Sequence, residues 1–410
     1  MTGNTYTATH DFVIGNVSSR NVMETKHDMF CPGLSRDFNG RAILSSGDDA
    51  RRVSIYEPGN GSWITAPQMN LWRGYQGPVR FRMGELAFVI GGSWLVDPST
   101  RGCPVDPTLM EDNNGIYRED SHDWVFSWSN STVFQAGPSK SNELVFRTRQ
   151  QLKLTSRHLR IQRLNVRHRS SRRRSSEKMF TAGGAQSYEN APATNSAHLI
   201  IIGSPGDRPS SARVPTIKQA RSFANGVILP DGTVFIVGGQ PYSVTFMDTD
   251  AVTTPELWDP VNQTFTILPV HQIPRPYHSI ALFITRRNGL DGCPGYLFKP
   301  DRSVAKRPVI TDMPNSRVRV GGRLTIVADS PVMRFSLIRY GSVTHTVDTD
   351  QRRLAVPSDP GAALPGYWMS FAIDGKGVPS IARTVKITPG TPGNIHKQDR
   401  PPGLNVKSVL

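Results

Sequence analysis

The amino-acid sequence predicts an all-β protein, and three observations lead to that prediction. The 410 residues include 36 glycines and 32 prolines, which interrupt short β-branched and aromatic segments at close intervals. Long runs of helix-favouring residues are scarce. Several short apolar segments end in paired glycines. A chain of this length can form two or three domains with a large buried core.

A repeated pattern occupies most of the chain before residue 306. SIYEPGNGSW (54–63) and ELWDPVNQTF (256–265) align without a gap: each has an aromatic residue, an acid, a proline, an asparagine-containing turn and a closing aromatic residue. Paired glycines end the apolar segments AFVIGGSW (87–94), MFTAGGAQ (179–186) and VFIVGGQ (234–240). Glycine suits such turns because the backbone needs positive φ and close approach there. The pattern predicts a kelch-type β-propeller, with ordinary β-hairpins of a sandwich as the alternative.

Changes in composition and in residue pattern along the sequence predict the domain order. Residues 1–23 form an N-terminal extension, and 24–305 form the propeller, which is the catalytic domain if the chain is an enzyme. From about Arg307, apolar and polar residues alternate with turn signals every dozen positions, which predicts an immunoglobulin-like β-sandwich over 306–389. The tail, 390–410, is rich in Pro, Gly and Lys and is expected to be disordered.

One aberrant basic segment, 147–178, carries most of the net positive charge. It has twelve Lys or Arg residues and one Glu, which is +11 of the total +15. It shows neither strand alternation nor paired glycines, and 282–300 also lacks the paired glycines, so the propeller is predicted to be incomplete. One hypothesis is an error of exon boundary or reading frame. The alternative is a basic arm for nucleic acid, but the segment has no aromatic residues for base stacking.

Two absences in the sequence bear on location and redox state. No run of 18 apolar residues occurs, so no membrane-spanning segment is predicted. The first twenty residues show neither the basic start nor the apolar region of a signal peptide. Cys31, Cys103 and Cys293 are far apart and odd in number, so the sequence indicates no disulfide framework.

Candidate metal ligands appear in two places. Tyr277 and His278 adjoin in PRPYHSI, and His345 lies in the strand-like segment YGSVTHTVDTDQRR. Imidazole nitrogen and tyrosinate oxygen are ligands that copper(II) favours. Adjacent residues of a strand point to opposite faces, so Tyr277 and His278 reach one ion only at a strand end or bulge. A half-buried strand position for the pair is the alternative.

The order of five motifs resembles that of a known family. These motifs are HDMFCPG (27–33), RGYQ (73–76), GGSW (91–94), RPYHS (275–279) and RYGSVTHTVDTDQRR (339–353). They occur in the order found in the galactose oxidase family of copper-radical oxidases, and the resemblance covers most of 24–388. It implies a seven-bladed kelch-type propeller followed by the β-sandwich.

The resemblance also implies roles for single residues. Cys31 and Tyr75 resemble the cysteine and tyrosine that a thioether joins into a protein-derived radical cofactor, and Trp94 resembles the indole that shields it. One copper ion is implied, with the ligands Tyr75, Tyr277, His278 and His345. Tyr277 resembles the ligand that accepts the substrate proton.

The implied reaction oxidises a primary alcohol, the C6 hydroxyl of D-galactose or a related group, to the aldehyde while O2 becomes H2O2. Trp94, Tyr188, Glu189 and Phe246 resemble residues at the sugar site, although galactose oxidase has glutamine at the position of Glu189. Propeller core packing is the alternative for Phe246. From the resemblance we expect a secreted monomer that takes a small alcohol or sugar and O2, and binds neither nucleic acid nor membrane. Because blade segments are missing, an inactive propeller-type binding protein or a damaged relic of such an oxidase is the alternative.

Overall fold

The computed structural model confirms an all-β protein. It describes residues 6–11, 16–49, 51–70, 74, 76–80, 87–90, 124–127, 133–136, 141–147, 152–153, 156–158, 164–168, 177–186, 189–202, 209–283, 295–298, 301, 303–320, 322–356, 364–389 and 405–409. These residues form 33 strands, a four-residue helix and a short 3-10 turn, Gly295–Leu297. None of the helical turns in these ranges has the length to cross a bilayer.

The strands are numbered in chain order. The first group is β1 (Tyr6–Asp11), β2 (Asn16–Asn21), β3 (Gly33–Arg36), β4 (Ala42–Ser45), β5 (Val53–Glu57), β6 (Ser62–Ala66), β7 (Gly77–Arg80), β8 (Ala87–Ile90), β9 (Val125–Ser127), β10 (Val133–Gln135) and β11 (Ser141–Arg147). The second is β12 (Leu152–Lys153), β13 (Ser156–His158), β14 (Leu164–His168), β15 (Glu177–Ala182), β16 (Ala191–Pro192), β17 (Ala197–Ile202), β18 (Ser210–Val214), β19 (Asn225–Ile228), β20 (Val234–Val237), β21 (Tyr242–Ser243), β22 (Glu256–Asp259) and β23 (Thr264–Ile267). The third is β24 (Ile310–Asp312), β25 (Arg317–Arg319), β26 (Arg323–Ala328), β27 (Arg334–Arg339), β28 (Val343–Thr344), β29 (Val347–Asp348), β30 (Arg353–Val356), β31 (Gly366–Ile373), β32 (Arg383–Thr388) and β33 (Asn405–Val409).

The helix α1 (Val22–Thr25) follows the isolated β1–β2 hairpin. Asn21 and Glu24 cap its start reciprocally: the Glu24 amide donates to Asn21 Oδ1 at 3.1 Å, and the Asn21 amide donates to Glu24 Oε2 at 2.9 Å. This is a capping box, which satisfies amides that a helix start leaves without partners.

The two aligned segments form equivalent hairpins in two four-stranded antiparallel sheets, β3-β4-β5-β6 and β19-β20-β22-β23. In each outer hairpin two aromatic residues face each other across the strands. Tyr56 pairs with Trp63 at a ring distance of 5.1 Å, and Trp258 pairs with Phe265 at 4.6 Å. A four-stranded meander is the form of a propeller blade. The number of seven blades stays a prediction.

The paired glycines adopt the backbone conformation that the repeat requires. Gly183 and Gly238 have φ of 68° and 73°, and the residues that follow them also have positive φ. A Cβ atom at Gly183 would collide with the carbonyl oxygen of Arg221, and one at Gly238 with that of Arg275. Positive φ and close backbone approach are therefore confirmed for both pairs. The glycines of GGSW lie outside the described residues.

A buried ion pair stabilises the second of these sheets, β19-β20-β22-β23. Arg221 and Glu256 are both inaccessible to solvent, and Arg221 Nη2 lies 2.7 Å from Glu256 Oε1. Arg221 also donates to the carbonyl of Gly238, while Glu256 accepts from the amides of Lys218 and Gln219. Burial lowers the pKa of Arg221, and the charge of Glu256 acts in the opposite direction. The pair thus fixes the segment before β19 against β22.

A nine-stranded sheet continues from the propeller region into the C-terminal region. Its order is β18-β17-β15-β14-β30-β27-β31-β32-β25, and β14 meets β30 at His168 and Arg353. One apolar core packs Phe180 and Trp258 against Phe371 of β31. A second core lies in the C-terminal region, where Trp368 of β31 packs with Leu324 of the sheet β24-β26-β33. The domain boundaries at 23/24 and 305/306 stay predictions.

Two expectations about irregular segments are wrong in part. The basic segment 147–178 was expected to lack strands, but β12, β13, β14 and the start of β15 fall within it. Apolar and polar residues alternate in Leu164–His168, and this strand pairs along β15, whose edge would otherwise stay open. The tail 390–410 was expected to be disordered, but Asn405–Val409 pairs in parallel with β26 for the same reason.

Candidate metal centre

Three turns from distant parts of the chain bring together one sulfur and two imidazoles. One ligand atom each from Cys31, His278 and His345 lies within 4.8 Å of the others. Cys31 Sγ is 3.6 Å from His278 Nε2, across 247 positions of sequence. The described residues therefore form a compact donor set of one sulfur and two nitrogens.

His345 lies at the tip of a hairpin, and the expected strand is interrupted there. The strands β28 and β29 pair on either side of His345 and Thr346, whose φ values are 48° and 69°. Thr344 Oγ1 lies 2.7 Å from His345 Nδ1. If Nδ1 carries the proton and donates to this hydroxyl, the lone pair is on Nε2. The hairpin then leaves Nε2 of His345 free to act as a candidate metal ligand.

Tyr277 and His278 lie in a turn, which lets both side chains face the same place. The alternative of a strand position for this pair does not apply, because residues 277–283 form no strand and φ of His278 is 64°. The two rings stack at 3.9 Å, and His345 approaches His278 edge-on at 4.5 Å. Burial lowers the pKa of His278, which favours the neutral imidazole that binds metals. On a strand, Tyr277 and His278 would point to opposite faces, whereas the turn lets both side chains face the same site.

Cys31 lies in a buried loop directly before β3. It is 6% exposed, and its φ is 55°. The loop passes so close to Gly47 that a side chain there would collide with the backbone of Asp28 and Phe30. Gln76, the residue after Tyr75, donates to the carbonyl of Ser45 at 2.5 Å, just before that glycine. The HDMFCPG loop and the end of RGYQ thus pack on the same part of β4.

Left-handed backbone is common to this centre. Non-glycine residues with positive φ include Cys31, Phe223, Phe246, His278 and His345. Such conformations are uncommon for residues with a Cβ and cost about 1–3 kcal/mol each, so they persist only where surrounding structure enforces them. No glycine or asparagine occupies these positions, so no sequence pattern predicts their left-handed backbone.

Phe30 and Phe246 flank the imidazole of His278. Phe246 is 66% exposed, so the alternative of core packing does not apply to it. Its ring lies 5.3 Å from His278, 5.0 Å from Tyr277 and 6.5 Å from Phe30, with which it stacks. Sequence reasoning missed Phe30, although it stands directly before Cys31 in HDMFCPG. Together the two rings give the centre one apolar, partly exposed wall.

Of the other expected substrate residues, the structure describes only Glu189. Glu189 is partly exposed and accepts a hydrogen bond from Thr245, the neighbour of Phe246. The Asn190 amide donates to the Ser243 carbonyl at 2.8 Å, so the Glu189 segment and the Phe246 loop pack together. Tyr75, Trp94 and Tyr188 lie outside the described residues, as do Cys103 and Cys293.

A buried carboxyl group at the base of the His345 hairpin should make stability depend on pH. Burial, with the nearby Asp350, raises the pKa of Asp348 to about 6. A carboxyl whose pKa is raised on folding stabilises the protein below about pH 4 and loses that contribution as pH rises towards 6. The change is about 3 kcal/mol at most.

We therefore expect Asp348→Asn to raise the free energy of unfolding at pH 8 and to leave it nearly unchanged at pH 4. The asparagine oxygen still accepts the amides of Ser342 and Gln351, which now bond to Asp348 Oδ1. Urea unfolding of both proteins at the two pH values measures this. An equal difference at pH 4 and pH 8 would contradict the assignment.

Comparisons with known proteins agree with this fold. Residues 307–387 match the model of the galactose oxidase-like early set domain. Two curated galactose oxidases of Gibberella zeae are 37% identical over 94% of the chain. The chain spans 65% of their length. A solved fungal alcohol oxidase of the AA5 family, in complex with copper, is 33% identical, with a TM-score of 0.79 over 94% of this chain and 91% of that one.

An all-β scaffold that brings imidazole, phenol and thiol groups together is typical of a protein with a metal centre. Sequence identity and structural similarity extend over nearly the whole chain, and together they establish the family. The chain belongs to the galactose oxidase-like AA5 family.

Proposed function

We propose that this chain is a copper-radical oxidase that converts a primary alcohol, the C6 hydroxyl of D-galactose or a related group, to the aldehyde and reduces O2 to H2O2. The observation that carries the proposal is the convergence of Cys31, His278 and His345, with Tyr277 stacked on His278. Two ligands that each lie about 2 Å from one ion are at most about 4 Å apart. The ligand atoms of His278 and His345 lie within 4.8 Å of each other, so small side-chain adjustments are enough to meet that limit.

The donor chemistry of the site fits copper. Two imidazoles and a phenolate are ligands that copper(II) favours. His278 and His345 would hold the ion through their ring nitrogens, and Tyr277 and Tyr75 through their phenolic oxygens. When bound, one copper ion supplies a Lewis acid for the alcohol oxygen and accepts one electron.

The protein groups would carry the rest of the reaction. Tyr277 takes the alcohol proton at its phenolate oxygen as a general base. Tyr75, joined to Cys31 by a thioether, takes a hydrogen atom from the alcohol carbon, with Trp94 shielding the radical. The alcohol loses two protons and two electrons in total, and O2 accepts them as H2O2.

Substrate binding is proposed at the aromatic wall. Phe246, with Phe30 beside it, offers an apolar surface to a sugar ring next to His278. Glu189, held by Thr245 at the edge of the same loop, offers a hydrogen-bond acceptor for hydroxyl groups. Trp94 and Tyr188 complete the proposed substrate set. The proposal includes a secreted monomer whose partners are the alcohol and O2.

The proposal is tested by incubating purified protein with Cu(II), O2 and galactose and coupling peroxide to a peroxidase dye. We expect peroxide, and a mass two hydrogens lower after copper treatment because the thioether forms. Cys31→Ser is expected to abolish both the mass loss and the tryptic peptide that joins position 31 to Tyr75, with loss of turnover. If the wild type makes no peroxide with galactose, glyoxal or simple alcohols, the inactive relic is the better description.

A further inference from the structure

A buried polar network links the His345 hairpin to the strand that follows Cys31. Asp350 is buried, and its Oδ2 accepts from the backbone amide of Arg36 in β3 at 3.0 Å and from Ser342 Oγ at 2.7 Å. Its Oδ1 lies 3.2 Å from Arg339 Nη2 at the end of β27. One carboxylate thus joins three segments: β3, β27 and the base of the hairpin.

Further contacts reinforce the same junction. Arg36 Nε donates to the carbonyl of Gly341 at 2.9 Å, so β3 binds the hairpin base twice. Gln351 accepts from the Ile228 amide at 2.9 Å, which connects the base to β19. A side chain at Gly341 would collide with the Asp348 carboxylate. The base of the hairpin is therefore held from several sides by buried groups.

The tip of the hairpin requires such support. His345 and Thr346 form a two-residue turn with φ of 48° and 69°, a geometry that normally selects Asn-Gly. For a β-branched residue such as Thr346 this backbone is an outlier. The strained conformation persists only if its surroundings enforce it.

We propose that Asp350 is a positioning residue, which holds the strained hairpin so that His345 stays within ligand distance of His278. β3 begins two residues after Cys31, and the Arg36–Asp350 bond spans 314 positions of sequence. It connects the strand that follows Cys31 directly to the hairpin that carries His345. This inference rests on the proposed function because it assigns the network to the metal centre of that function.

Asp37 provides a matched control, since it is also a buried acid paired with an arginine beside β3. It pairs with Arg41 at 2.6 Å. Its other bonds, from the amides of Asn39 and Arg41, remain within the β3–β4 turn. Replacement of either acid removes a buried charge beside β3, but only Asp350 contacts the hairpin.

The test compares wild type, Asp350→Asn and Asp37→Asn by Cu(II) titration and by the electron paramagnetic resonance spectrum of bound Cu(II). We expect Asp350→Asn to weaken Cu(II) binding about tenfold or more and to change the copper hyperfine splitting. Asp37→Asn should keep the wild-type affinity and spectrum, even if its unfolding temperature falls. Equal affinity and spectra for the two variants would overturn the proposal.

Two further experiments cover the cases in which Asp350→Asn does not fold or the wild type binds no Cu(II). If Asp350→Asn does not fold, Ser342→Ala removes one hydrogen bond to the same carboxylate and should weaken Cu(II) binding about fivefold. If the wild type binds no Cu(II), the proposed function fails, and amide hydrogen exchange of the metal-free protein decides the positioning role. Exchange over 341–352 should then be faster in Asp350→Asn than in Asp37→Asn, and equal rates would overturn the proposal.

Discussion

Replacing His345 by alanine is expected to lower Cu(II) affinity by more than about 100-fold and to abolish peroxide formation. The change removes a ligand itself, so the loss should exceed the 10- to 100-fold typical of residues that only support ligands. The hairpin strands β28 and β29 do not depend on the imidazole, because their pairing uses backbone groups of Val343, Thr344, Val347 and Asp348. The fold should therefore remain while the site is lost.

Isothermal titration with Cu(II) and the peroxide assay measure this effect. His271→Ala is the matched control, because His271 is also half-buried but contributes to no donor set among the described residues. The control should bind Cu(II) as the wild type does. If His345→Ala kept wild-type affinity, the hairpin would have no place in the metal centre.

Replacing Glu256 by glutamine is expected to destabilise the protein by about 3–5 kcal/mol. The amides of Lys218 and Gln219 bond to different oxygens of the carboxylate, and the single glutamine oxygen replaces only one of these acceptors. The buried guanidinium of Arg221 also loses its counter-charge. Removal of one partner from a buried pair leaves an uncompensated charge, which costs this much. Urea and thermal unfolding measure the change.

Asp259→Asn is the control for Glu256→Gln. Asp259 lies on the same strand, and its carboxylate accepts hydrogen bonds from Val261 and Asn262 in an exposed turn. Its replacement should cost less than about 1 kcal/mol. A second variant, with Arg221→Met and Glu256→Leu together, should recover much of the lost stability because it removes both buried charges. Equal losses in Glu256→Gln and Asp259→Asn would show that the pair is not structurally important.

Local patterns predicted the parts of this fold that local chemistry determines. The aromatic residues at Tyr56, Trp63, Trp258 and Phe265 and the glycines ending β15 and β20 occur in sequence where the structure uses them. A blade is a meander of neighbouring strands, so its signals lie close together in the chain. The repeat was visible for that reason.

The geometry of the site could not be predicted in the same way. His345-Thr346 lacks the glycine or asparagine that announces a two-residue hairpin, and a strand position was the alternative for Tyr277 and His278 in PRPYHSI. These turns are imposed by contacts with distant residues, such as the bond from Arg36 to Asp350. Family resemblance supplied His278 and His345 as ligands, but it did not supply Phe30 or Asp350. The strand at Asn405–Val409 was missed because its partner, β26, determines it.

The residues of the proposed metal centre are far apart in sequence, and this determines when the centre can form during synthesis. Cys31 emerges from the ribosome long before His278, which follows 247 positions later, and the bond from Arg36 to Asp350 needs a still later segment. The early blades can fold while the later ones are still being made, since each is a local meander. A nascent chain that ends before the hairpin therefore lacks one imidazole and the Asp350 anchor. Acquisition of metal should consequently be among the last events in maturation, after the scaffold has already formed.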